Sequence, residues 1–150
     1  MLAALAWKLL LVVSVVLAAM LGAMSVSAQE EENTSQMFLD VGNPVPGDTI
    51  HVGRIWIEGI AFDRAAEEGQ GIERIDVFLE DRDQAGALIG RAVLGIETPA
   101  ADDPPLANSG WIAEVSLTGR MTGPHTLFFY ALSSVTGEEL IVGVPVQVDP

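Results

Sequence analysis

The chain of 150 residues contains 21 Asp and Glu residues against seven Lys and Arg residues, which gives a formal net charge of −14 at pH 7. This excess excludes nucleic acid and anionic lipid as ligands, because both are repelled, and it favours cations, basic partners or solubility alone. The lack of cysteine excludes disulfides, a thiol nucleophile and a thiolate metal site, so the core alone has to hold the fold.

The N-terminal segment has the pattern of an export signal. Lys8 precedes an apolar run, Leu9–Met24, and small residues then stand three and one positions before a cleavage site at Gln29. We predict a signal peptide over residues 1–28, with an uncleaved signal anchor as the alternative. Because Lys8 stays on the cytoplasmic side in either case, we expect the rest of the chain to be secreted or at the cell surface. The membrane is then contacted only through an uncleaved N-terminal segment.

The remainder of the chain has the pattern of an all-β protein. Residues 29–36 are acidic and polar and are predicted to form a disordered lead-in. From residue 37 to residue 150, short runs of alternating apolar and polar residues are separated by Gly, Pro and Asp, which is typical of a sandwich or barrel. We predict about seven antiparallel strands: QMFLDV, HVGRIWIEGIAFD, IERIDVFLED, ALIGRAVLG, WIAEVSL, HTLFFYALSS and LIVGVPVQV. Gly59, in the second strand, is expected to mark a β-bulge or a close approach.

Five segments of this region resemble one family in their order and spacing: GRIWIEGIAFD, GIERIDVFLED, IGRAVLG, ANSGW and GPHTLFFYAL. They are similar to the bacterial immunoglobulin-like domains of secreted and cell-surface proteins, from about Gly53 to Val148. The chain departs from the family at Ile60, where an aromatic residue is usual. The resemblance implies an immunoglobulin-like β-sandwich over residues 37–150, a binding or spacer role, and no shared catalytic residues.

The alternation of apolar and polar residues along the strands agrees with such a sandwich, in which each strand turns one apolar face toward the other layer. Burying a large apolar side chain contributes roughly 1.5–3 kcal/mol, most of which is offset by the lost entropy of the chain. The predicted core consists of Ile55, Ile57, Ile75, Val77, Leu79, Trp111, Val115, Leu117, Leu127, Phe129, Ala131, Val144, Val146 and Val148.

The histidines give no reason to predict catalysis. His51 and His125 are the only two in the chain, and neither has a nucleophile at the spacing of a known motif. Two histidines also fall short of the three protein ligands of a usual zinc site. We therefore predict that the protein is not an enzyme and requires no cofactor.

The carboxylates of three loops are expected to gather at one pole of the sandwich, because alternate loops meet at the same end. They are Asp63, Glu67, Glu68, Asp102, Asp103, Glu138 and Glu139. Calcium binds such oxygen ligands, so the alternative prediction is a calcium-stabilised structural module. The competing interpretation is a solvated acidic rim, since no D-x-D-x-D spacing is present. The candidate ligands are Asp63, Asp102, Asp103 and Glu138.

Phe78 interrupts the acidic outer face of the strand IERIDVFLED. If the strands pair as in an immunoglobulin-like domain, it lies in an apolar patch ringed by Asp76 and Glu80. Two interpretations stay open: aromatic pairing that only stabilises the sheet, and a docking surface. The patch consists of Phe78, Phe128, Tyr130 and Ile141.

Together these patterns predict an exported, non-catalytic immunoglobulin-like module that acts in binding, in adhesion or as a spacer at the cell surface. The predicted partner is a protein or a carbohydrate, and the aromatic patch is the candidate binding site. The acidic pole is expected to direct partner choice toward basic groups.

Overall fold

The computed structural model describes residues 36–98 and 106–150. The predicted signal segment 1–28, and all of the predicted lead-in except Gln36, therefore lie outside the described residues. The strands are β1 (Met37–Asn43), β2 (Thr49–His51), β3 (Gly53–Asp63), β4 (Ile72–Leu79), β5 (Ala87–Ile96), β6 (Gly110–Leu117), β7 (Gly123–Ser133) and β8 (Glu139–Asp149). Single 3₁₀ turns lie at Arg82–Gln84 and Gly119–Met121. No helix in the two described ranges is long and apolar enough to cross a membrane.

The described strands are hydrogen-bonded in the order β1-β3-β6-β5-β4-β7-β8-β2. Strand β5 takes part in two layers, because residues 87–91 pair with β4 whereas residues 92–96 pair with β6. The first layer therefore consists of β1, β3, β6 and the second half of β5. The second layer consists of the first half of β5 followed by β4, β7, β8 and β2. These layers reproduce the A-B-E-D and C-F-G strand orders of the immunoglobulin fold, which confirms the predicted immunoglobulin-like β-sandwich.

The core lies between the two layers, where the alternation of each strand places one apolar face. Trp111 of β6 is 1% exposed, and its ring centroid lies 5.6 Å from that of Phe129 of β7, so this pair joins the layers. Ile57 and Ile75 are fully buried in the same cluster. The predicted core residues are all buried except Ile55, which is half-buried.

Strand β2 departs from the predicted set of about seven antiparallel strands. Its three residues pair in parallel with the end of β8. Strands β1 and β2 are the outermost strands of the sheet, so the single segment 37–51 supplies the outer strand of both layers. Three residues are too few to display an alternating pattern, which is why the sequence did not reveal this strand.

Gly59 of β3 is a position of close approach, one of the two roles expected for it. A β-carbon there would collide with the carbonyl oxygen of Asp40 and with the ring of Trp111. The β-bulge lies in the neighbouring strand β1, whose register with β3 shifts between Val41 and Asn43. The lack of a side chain at Gly59 therefore lets the backbone of β1 and the ring of Trp111 both approach β3 closely.

Candidate functional site

The four residues of the predicted aromatic patch lie on the outer face of the second layer. Phe78 pairs with Phe128 across β4 and β7, and Tyr130 pairs with Ile141 across β7 and β8. The ring centroids of Phe78 and Tyr130 are 5.4 Å apart at an interplanar angle of 77°, an edge-to-face contact. The register thus brings the four side chains together.

Tyr130 differs from the prediction, because it is 2% exposed and therefore is not part of an exposed surface. The guanidinium carbon of Arg82, from the turn between β4 and β5, lies 4.2 Å from the centroid of its ring. Glu139 holds this guanidinium by two hydrogen bonds of 2.9 and 2.8 Å. Phe78 and Phe128 are half-buried, so only Ile141 of the four is exposed.

The hydroxyl of Tyr130 anchors the same turn. It donates a hydrogen bond of 2.9 Å to the carboxylate of Asp81 and accepts one of 3.0 Å from the backbone N–H of Arg82. Asp81 also accepts the N–H of Asp83 at 2.9 Å, and this bond is the main cause that lowers the pKa of the Asp81 carboxyl. These contacts favour a packing role for the cluster. A docking role for the patch stays a prediction.

Burial raises the pKa of the Tyr130 hydroxyl above its ordinary value. A raised pKa in the folded state means that the folded chain holds this proton more tightly than the unfolded chain does. The resulting stability is fully present below the unfolded pKa, near 10, and is lost as pH rises through the folded pKa. Because Tyr130 is the chain's only tyrosine, tyrosinate absorbance should report its pKa directly. We expect a midpoint above that of the same chain in denaturant, and coincident midpoints would contradict the structure.

Asp63, predicted as a calcium ligand in an acidic loop, is instead the buried last residue of β3. Its carboxylate accepts the hydroxyl of Ser133 at 2.7 Å and the backbone N–H groups of Gln36 and Ala65 at 3.2 and 2.9 Å. These bonds join the start of β1, the loop after β3 and the end of β7. The aspartate therefore has a structural role at this pole.

Of the other three candidate calcium ligands, the structure describes only Glu138. Glu138 is exposed in the turn before β8. Asp102 and Asp103 lie outside the described residues. Within the described ranges, no three His, Asp or Glu side chains come together in a way that could hold a metal ion. Calcium binding stays a prediction.

Both histidines contact structural groups. The Nδ1 atom of His125 lies 2.8 Å from a carboxylate oxygen of Glu80, and the Nδ1 atom of His51 lies 3.3 Å from the carbonyl oxygen of Pro150. The first contact joins β7 to the end of β4, where Glu80 has a φ of 65°. The second joins β2 to the C-terminal end of β8.

The most exposed apolar surface lies on the other side of the sandwich, on the outer face of the first layer. Trp56 is 58% exposed and Val93 is 60% exposed. Val93 pairs with Ile112, and Ile112 pairs in turn with Glu58, so these side chains form one row across β5, β6 and β3. We call this surface the Trp56 face, and it consists of Trp56, Ile60, Val93, Ile96 and Ile112.

A shallow groove of about 270 Å³ crosses part of this face. Ile60, Ile96 and Ile112 line it, and three acidic residues also border it: Asp40, Glu58 and Glu97. Glycines of three strands contribute to the lining, so backbone forms part of its surface. The groove therefore combines apolar side chains with carboxylates.

The sequence interpretation missed the Trp56 face. The alternation of Trp56, Glu58 and Ile60 along β3 shows that they share a face opposite to Ile57, and this was the available signal. Their neighbours could not be found in the same way. They depend on β5 changing partners, with a register shift between Leu94 and Ile96 beside β6.

A search of the solved structures finds fourteen chains that match. One belongs to the fibronectin(III)-like modules of Clostridium thermocellum CbhA, with 19% sequence identity and a TM-score of 0.44. The match covers 75% of this chain and 46% of that chain, so this chain spans about half the length of the CbhA structure. No protein-family model and no curated protein matches. By its own strand order and register, the described part of the chain is an immunoglobulin-like β-sandwich domain.

Proposed function

We propose that the protein is an exported, non-catalytic immunoglobulin-like module that binds a partner at or beyond the cell surface through its Trp56 face. The observation that carries this proposal is the exposure of Trp56, Val93 and Ile96 on one sheet face. Contiguous exposed apolar residues mark interaction surfaces, and tryptophan is enriched among the residues that dominate binding energy. The signal pattern predicted from the sequence over residues 1–28 supports the location.

The Trp56 face is better suited to binding than the aromatic patch of the second layer. The ring of Tyr130 already packs against Phe78 and Arg82, so little of its surface is left for a partner. Trp56, in contrast, lies across from Glu114 in the β3–β6 register and leaves more than half of its surface exposed. A partner that covers Trp56 removes this apolar surface from water.

A spacer role is the second candidate, and the positions of the first and last strands of the described domain favour it. Met37 pairs with Asp63 at the end of β3, whereas the carbonyl of Asp149 accepts the N–H of Val52 next to the start of β3. The ends of the domain are thus separated by the length of β3, which is 11 residues or about 36 Å. A module of this geometry can hold its neighbours apart while its sheet faces stay free to bind.

The binding proposal is tested by capture of partners from an extract of the producing cell's surface. The variant Trp56→Ser with Val93→Ser should keep the fold, because both residues are exposed, and should lose the captured partner. The matched control is Leu88→Ser with Ile141→Ser, which changes two exposed apolar residues of the second layer and should retain it. Loss of capture only in the control pair would assign binding to the second layer and overturn the proposal. Circular dichroism should show β-structure in all variants.

A further inference from the structure

The groove on the Trp56 face has a composition that suits an amphipathic side chain. Its apolar part comes from Ile60, Ile96 and Ile112, and its acidic part comes from Asp40 and Glu58. Lysine and arginine lay their aliphatic stems on apolar surface while the charged end contacts polar groups. A residue of this kind matches both parts of the groove, whereas a purely apolar residue matches only one.

The negative charge of the groove is not neutralised by the described part of the domain. Arg54 lies 3.4 Å from Glu114, and Arg91 lies 2.6 Å from Asp76 of the second layer, so each of these arginines already has a partner. Three carboxylates border the groove: Asp40, Glu58 and Glu97. None of them forms an ion pair with a residue that the structure describes. A cation brought by a partner would meet unpaired acceptors there.

The groove is open and shallow, which suits a side chain laid on the surface better than an enclosed small molecule. Its volume of about 270 Å³ is smaller than the roughly 300–1,000 Å³ of pockets that enclose drug-sized ligands. The indole of Trp56 on the same face offers a surface over which a cation is attracted. Several cationic side chains spaced along one segment could therefore contact the groove and Trp56 at the same time.

Charge also excludes other occupants. A second copy of this chain would bring the same acidic residues against the face, in a chain whose formal net charge is −14. Nucleic acid and anionic lipid surfaces are repelled for the same reason. A neutral sugar can donate hydroxyl hydrogen bonds to these carboxylates, but it brings no positive charge to neutralise them. We infer that the Trp56 face binds a polypeptide segment rich in arginine or lysine, whose cations contact the carboxylates of Asp40 and Glu58. This inference rests on the proposed binding function.

Isothermal titration of the full chain with model peptides tests this inference. The probe is a peptide of alternating arginine and alanine, and the matched peptide has glutamine in place of arginine. We expect only the arginine peptide to bind, with an affinity that falls as salt concentration rises, because the contacts are exposed. Equal binding of the two peptides would overturn the inference.

Paired variants separate the groove from the general charge of the chain. Asp40→Asn with Glu58→Gln should weaken binding of the arginine peptide about three- to tenfold, as expected for two exposed ion pairs. The control, Asp83→Asn with Glu138→Gln, removes the same charge from turns of the second layer and should bind like the unmodified chain. Thermal melts verify that both variants fold. Equal losses in the two variants would show that only net charge matters and would overturn the inference.

The outcomes also distinguish this inference from the proposed function. If capture depends on Trp56 but the arginine peptide does not bind, the face is a binding site for another chemistry and the inference is wrong. If the peptide binds through Asp40 and Glu58 but capture does not depend on Trp56, the proposed binding function is wrong while the preference of the groove stands.

Discussion

Replacing Trp111 with alanine is expected to lower the free energy of unfolding by about 3–5 kcal/mol, the usual cost of removing a large aromatic side chain from a core. Trp111 packs against Phe129 of the opposite layer and against the backbone at Gly59. Its indole N–H has no hydrogen-bond partner among the described residues. The loss therefore comes from packing and from the cavity left between the layers, and not from a broken hydrogen bond.

Denaturant unfolding of the variant beside a matched tryptophan variant measures this effect. Trp56→Ala removes the same side chain from the exposed face of the first layer and should change the free energy of unfolding by well under half as much, since the site is solvated. Trp111→Phe should cost less than Trp111→Ala, because it keeps an aromatic ring and removes a buried N–H without a partner. Similar costs for the alanine variants at Trp56 and Trp111 would contradict this core.

The contrast between these two tryptophans shows what alternation can predict. The period of two along β6 places Trp111, Ala113 and Val115 on one face, and the structure buries all three. The same period along β3 separates Ile57 from Trp56. A local rule of this kind predicts the inner face well, because burial of that face is what drives the strands together.

The outer faces were harder to predict, because their exposure depends on residues far away in the chain. Tyr130 follows the outward pattern of β7, yet Arg82, 48 residues earlier, covers its ring. Glu139, which holds Arg82 in place by a bidentate contact, lies even further away along the chain, 57 residues after Arg82. No periodicity contains this information. The sequence therefore indicated which residues point outward but not which of them stay exposed.

The acidic pole illustrates a similar limit. The sequence pattern placed Asp63 in a run of acidic loop residues. In the folded chain its carboxylate lies against Ser133, which is 70 residues later. A charge run predicts a solvated rim for most of its members, as Glu67 and Glu68 are in fact exposed. The buried member was found only from three-dimensional contacts.

Replacing Asp63 with asparagine, a change of almost no volume, is expected to lower the free energy of unfolding by about 2–3 kcal/mol. The reason lies in the hydrogen bonds of Ser133. Its hydroxyl oxygen already accepts the N–H groups of Val135 and Thr136 at 3.0 and 3.1 Å, so its proton has to be donated to Asp63. An asparagine can turn its oxygen toward Ser133 or toward the backbone N–H groups of Gln36 and Ala65, but not toward both.

In either orientation, an N–H of the asparagine side chain faces another hydrogen-bond donor in a buried site. The unpaired donors carry a desolvation cost, which lowers the free energy of unfolding. Asp40→Asn makes the same chemical change on an exposed carboxylate of β1 and should cost less than about 0.5 kcal/mol. Because Asp63 and Ser133 share one hydrogen bond, the double variant with Ser133→Ala should cost less than the sum of the two single changes. An additive result, or a loss at Asp63 as small as that at Asp40, would mean that this carboxylate does not join the two layers at their acidic end.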